Sequence, residues 1–190
     1  HDPDSGRFEV LSANIPWDVG GFTIADDGKH LAFTSNEDGI SRLRVLSLPG
    51  HKEIRLPALP IGVIGGLSFS PDGKRLALTL NSATSPSDVY VIDLAASTAT
   101  RWTRSEVGGL DASKFVAPTL VRYPTFDKVD GKQRTIPAFF YKPGKPSGTL
   151  ASKTGKYPVV INIHGGPESQ SLPTFNATAQ YLANELGVAM

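Results

Sequence analysis

Apolar and polar positions alternate in two matching blocks in the first half of the chain. Leu31 and Phe33 follow the turn pair Asp27-Gly28, and Leu76, Leu78 and Leu80 follow Asp72-Gly73. A two-residue period of this kind predicts strands with one buried face. The Asp-Gly pairs predict hairpin turns, because they accept positive φ angles. A further strand is predicted in each block, at Leu43–Leu48 and at Val89–Leu94. Residues 21–34 align without gaps on residues 66–79, an offset of 45, and residues 41–48 align on 87–94, one residue further out. The blocks therefore form a repeat, at about 20–50 and 65–95. A period near 45 with several strands per unit is that of a β-propeller blade. Asp27, Asp72, Lys29 and Lys74 read as turn chemistry rather than site chemistry.

The pattern changes after Thr100. Gly108 to Ser113 reads as a linker. Thr119–Phe126 and Arg134–Tyr141 read as two strands around an Asp130-Gly131 turn, with Pro124 and Pro137 suited to edges or bulges. Lys142–Lys156, rich in Gly, Pro, Ser, Thr and Lys, reads as an exposed loop. Tyr157–Ile163 is a short β-branched apolar run of the type found in strands covered on both faces. Phe175, Ala179, Leu182 and Leu186 then fall at helical spacing, which predicts a helix from Pro173 to Leu186 ended by Gly187.

Composition narrows the function classes. The 190 residues carry a net charge of +1, which gives no basic field for nucleic acid or an anionic membrane surface. No apolar run reaches the length of a membrane span. There is no cysteine, which excludes disulfides and thiolate metal sites. The four histidines show no ligand spacing, so neither metal nor cofactor is expected. His30 and His51 are expected at the blade surface.

The chemistry concentrates in His164-Gly165-Gly166-Pro167, between the apolar run and the helix. A strand, a glycine turn and a helix in this order is the setting of an oxyanion-hole loop in α/β-hydrolases. Backbone N–H groups fixed at such a turn stabilise the oxyanion of a tetrahedral intermediate without reorganising, and glycine lets the backbone come close. Pro167 cannot donate and stiffens the exit. Ser169 and Ser171 follow the turn but lack the Gly-x-Ser-x-Gly context of a nucleophile.

Ser70-Pro71-Asp72-Gly73-Lys74-Arg75-Leu76-Ala77 resembles the blades of TolB and of prolyl oligopeptidase-type enzymes. With the segments at 120–127, 136–141 and 157–170, the chain resembles the prolyl oligopeptidase family of serine peptidases. Its acylaminoacyl peptidase and dipeptidyl peptidase branch is the most similar. The resemblance implies a mixed β and α/β fold. Residues 1–117 would be the last blades of a propeller, and 118–190 the N-terminal part of an α/β-hydrolase domain. It implies a peptide substrate and an oxyanion-hole N–H from Gly166. Gly165 would shape the turn, and His164 would hold the loop or donate. The family's serine, aspartate and histidine follow this loop, so the piece is expected to stop before the triad and to be inactive alone. Its partner is then the remainder of both domains, in the same or a separate chain, with homo-oligomers compatible. Periplasmic, secreted and cytoplasmic locations are all compatible. An esterase on the same fold and a TolB-like binding propeller are the alternatives.

Overall fold

A computed structural model describes residues 5–144, 156–166 and 168–190. The described residues form three antiparallel sheets and one short α-helix. Strands β1 (Val19–Ile24), β2 (His30–Glu37), β3 (Ile40–Ser47) and β4 (Lys52–Glu53) make the first sheet, in that order. Strands β5 (Gly62–Phe69), β6 (Arg75–Ser82), β7 (Ser85–Asp93) and β8 (Thr98–Arg101) repeat the same order in the second. Strands β9 (Thr119–Val129) and β10 (Lys132–Phe140) form a hairpin, and α1 spans Ala177–Asn184.

The repeat in sequence is a repeat in hydrogen bonding. Gly28 N donates to Ala25 O and Gly73 N to Ser70 O, each at 2.8 Å. Asp27 accepts from Lys29 N at 2.9 Å and Asp72 from Lys74 N at 3.2 Å. Only the glycine of each Asp-Gly pair takes a positive φ, +69° at Gly28 and +66° at Gly73. These are therefore wider turns ending in one left-handed residue, not two-residue hairpin turns. The two-residue form occurs at Asp38-Gly39 and Asp130-Gly131, where both residues have positive φ.

The two sheets stack through opposite faces. Ala32, Leu43 and Val45 of the first pack against Ile64, Leu76, Leu78, Leu80 and Ile92 of the second. Leu76 and Leu78 correspond in the repeat to Leu31 and Phe33, which stand on the other face of β2 from Ala32. One sheet thus presents its front and the other its back, as successive propeller blades do. Phe33 is nevertheless buried, in the wall of a cavity of about 420 Å³ formed with residues of the 9–17 segment.

The C-terminal residues differ in extent from expectation. The β9–β10 hairpin runs further toward its turn than predicted, to Val129 and from Lys132. Tyr141 N donates to Met190 O (2.7 Å) and Met190 N to Tyr141 O (3.1 Å). Val159 makes a parallel bridge with Ala189, supported by Val160 N to Ala189 O (2.8 Å) and Ala189 N to Pro158 O (2.9 Å). The predicted strand at Tyr157–Ile163 is paired only around Val159. The helix begins at Ala177 rather than Pro173, because the Asn176 side chain accepts from Ala179 N (3.0 Å) and caps it there. Gly187 takes φ +64° beyond its end, as expected. The predicted loop at 142–156 lies mostly outside the described residues.

Candidate functional site

The His164–Gly166 turn leaves the Val159 region on the solvent side, with all three residues exposed. Gly166 has φ +138°, which L side chains rarely adopt, and a β-carbon there would sit 2.9 Å from Glu168 N. Gly165 has open space around it. Glycine is therefore demanded at 166 and merely present at 165. His164 Nδ1 lies 3.1 Å from Gly165 O, a contact that ties the ring to its own turn. Pro167 lies outside the described residues.

Both sheets meet the segment after the turn, and they do so through hairpin tips at the same end. At the β2–β3 tip, Asn36 Nδ2 donates to Gln170 Oε1 at 2.8 Å, and Asp38 pairs with Arg122 of β9. At the β6–β7 tip, Asn81 Oδ1 accepts from Phe175 N at 2.8 Å. Asn36 and Asn81 are equivalent in the repeat, 45 positions apart. Ala83, at the same tip, packs with Tyr141 and Ala179. Burial beneath this contact pushes the Tyr141 phenol above its ordinary pKa.

Helix α1 is fastened by a buried amide. Gln180 Nε2 donates to Ala83 O (2.8 Å) and to Val116 O (3.0 Å), while its Oε1 accepts from Val116 N (2.7 Å). One side chain therefore satisfies backbone groups of the β6–β7 tip and of the connection before β9. Phe115 and Phe175 add a ring contact, with centroids 5.3 Å apart. None of these polar contacts was readable from the sequence, because each joins residues far apart in it. Asn36 and Asn81 did carry a signal, since they are the same residue at the same place in the repeat.

A second polar cluster lies away from the turn. Asp88 is buried and accepts from Thr103 Oγ1 (2.7 Å), Ser85 Oγ (3.1 Å), Ser105 N (2.8 Å) and Arg101. It closes the second sheet onto the residues that follow β8. His30 differs from expectation: its ring is half-buried and stacks on Phe69 at 6.1 Å, and its Nδ1 is buried without a partner. His51 is at the surface, 3.2 Å from Glu9. Ser169 and Ser171 are exposed. Among the described residues no group of three or more His, Cys, Asp or Glu side chains is placed to hold a metal ion.

No protein-family model matches the chain, and no curated protein matches it in sequence. Solved structures do. A puromycin hydrolase superposes with TM-score 0.68 at 21% identity, over 88% of this chain and 24% of its own. A puromycin-hydrolysing peptidase from Mycobacterium tuberculosis gives 0.64 at 19% identity, over 88% and 25%. A prolyl endopeptidase gives 0.61 at 19% identity, over 91% and 24%. The fold is thus that of a segment of these hydrolases, and the chain spans about a quarter of their length.

Proposed function

We propose that this chain is one part of a serine peptidase of the prolyl oligopeptidase type, which hydrolyses peptide bonds of oligopeptides by acyl transfer. Residues 1–117 supply propeller blades, and 118–190 begin an α/β-hydrolase domain that carries the oxyanion turn. One observation carries the reading. The exposed glycine turn leaves the third extended segment after the linker, following β9 and β10, and precedes the first helix. That is the position of the oxyanion loop between the third strand and helix A of α/β-hydrolases. The neighbouring backbone order, with Tyr141 against Met190 and Ala189 against Val159, supports a sheet that grows from this point.

In the proposed reaction a serine attacks the scissile carbonyl, and its proton passes to a histidine held by an aspartate. These three groups come from the remainder of the polypeptide. The Gly166 N–H donates to the oxyanion as it forms. Gly165 lies beside Gly166 in the turn, and His164 holds the turn through its contact with Gly165 O. The histidine gives its proton to the leaving amine as the C–N bond breaks, and water, activated by the same histidine, then hydrolyses the acyl-serine ester.

The test is fluorophosphonate labelling of the full polypeptide that contains this chain, followed by mass analysis and by assay on a peptide amide and its matched ester. Label on a serine outside these 190 residues, with the amide turned over, supports the peptidase. Ester turnover with the amide left intact makes it an esterase. Absence of both label and turnover removes the hydrolase reading.

A further inference from the structure

We propose that Gly39, at the tip of the β2–β3 hairpin, is a positioning residue for the Gly165-Gly166 turn. This rests on the peptidase reading. Gly39 is buried, although hairpin tips usually face solvent. A β-carbon placed on it would lie 3.2 Å from Phe139 Cε2, 3.2 Å from Ser171 O and 3.4 Å from Gln170 Nε2. The tip is therefore moulded against β10 on one side and against the residues leaving the turn on the other.

The surrounding bonds aim at the same place. Asn36 Oδ1 accepts from Gly39 N at 2.8 Å and so sets the turn. The Nδ2 of the same amide donates to Gln170 Oε1 at 2.8 Å. Arg122 of β9 pairs with Asp38 from the opposite flank. A β-carbon on Gly166 would in turn meet Glu168 N and Ser169, and Ser171 is only two residues beyond, so displacement at Ser171 has little chain in which to dissipate before it reaches the turn. A first-sheet residue, remote in sequence, thereby sets where the oxyanion donor stands.

Gly28 supplies the control. It too has positive φ, +69° against +85° at Gly39, but nothing lies within 4 Å of a β-carbon there. Any side chain at Gly28 meets the same backbone strain without the collision.

The experiment places Gly39→Ala, Gly39→Leu, Gly28→Ala and Gly28→Leu in the full polypeptide. It reads amide exchange over 168–176 together with kcat and KM on a peptide amide. Gly39→Leu is expected to speed exchange in that segment and to lower kcat by about tenfold or more, with KM little changed, because a misplaced turn costs transition-state contacts. Gly39→Ala is expected to fall between this and wild type, and both Gly28 variants to match wild type. Equal exchange and equal kcat in the two leucine variants would overturn the proposal. Should Gly39→Leu fail to fold, Gln170→Ala removes the acceptor of Asn36 Nδ2 while leaving Gly39 and its turn in place, and the same changes are expected. If wild type shows neither turnover nor fluorophosphonate label, the peptidase reading fails, and the exchange comparison decides the Gly39 seat by itself.

Discussion

Gly165 and Gly166 are adjacent and chemically identical, yet their surroundings separate them. At Gly166 both φ and the 2.9 Å approach to Glu168 N exclude a side chain, whereas Gly165 is open. In the full polypeptide, Gly166→Ala should lower kcat on a peptide amide by about 100-fold, the scale of losing one oxyanion donor. Gly165→Ala should stay near wild type, with thermal unfolding confirming that both variants fold. Asp88 makes the corresponding case for stability. Burial pushes its carboxyl up, but hydrogen bonds from Thr103, Arg101, Ser85 and Ser105 N outweigh that and hold it below the ordinary carboxylate value. A lowered folded pKa contributes stability above the ordinary pKa that is lost as pH falls through the folded value. Asp88→Ala should therefore cost about 3 kcal/mol at neutral pH, because it leaves Arg101 and several hydroxyls without their partner. The gap to wild type should narrow below about pH 4, the ordinary carboxylate range, when urea unfolding is followed against pH.

At the scale of elements, α1 is too short to stand alone, since helices under about 12 residues are marginal in water. Gln180 holds it by giving two donors to carbonyls and taking one N–H. Gln180→Glu keeps the shape but replaces both donors with an acceptor facing Ala83 O and Val116 O. It should lose about 3 kcal/mol at pH 7 and recover part of that in acid, since a carboxyl among carbonyls has a raised pKa and regains one donor when protonated. Melting temperature against pH should rise toward acid for this variant relative to wild type, and parallel curves would show that the amide donors do not matter. This residue also marks where the sequence stopped being readable. The second and third strands of each blade and the Asp130-Gly131 hairpin followed from local alternation and turn chemistry, which need no distant partner. The helix was expected from the spacing of Phe175, Ala179, Leu182 and Leu186. It buries Ala179, Gln180 and Ala183, because its partners are a hairpin tip 97 positions away and a connection 64 positions away. Asp38-Gly39 carries the same signal as Asp130-Gly131, so the hairpin tip was legible, but its contact with Ser171 was not. The glycine turn was legible as a motif; its exposure and the φ of Gly166 were not.

For the molecule as a whole, the sheets and the C-terminal residues are joined through hairpin tips rather than through a broad apolar face. The shared core at that junction is Ala83, Tyr141 and Ala179, with Phe139 and Met190 against it. The stacked core between the two sheets is larger and draws on β2, β3, β5, β6 and β7. Stability must then flow one way. If the β6–β7 hairpin opens, α1 loses Ala83 O and its packing at once, and Phe175 N ahead of it loses Asn81 Oδ1, whereas the sheets keep their stack when α1 leaves. Leu78 lies in the centre of that stack, 1% exposed and remote from α1. Leu78→Ala should destabilise the second sheet by about 3 kcal/mol, and amide protection in α1 should fall with that of β6 in the full polypeptide. A substitution on α1 itself, such as Ala183→Gly, should lower protection in α1 and leave β6 as it was. Equal loss in both elements for both variants would mean a single cooperative unit. Loss in β6 alone for Leu78→Ala would mean that α1 draws its stability from elsewhere in the polypeptide.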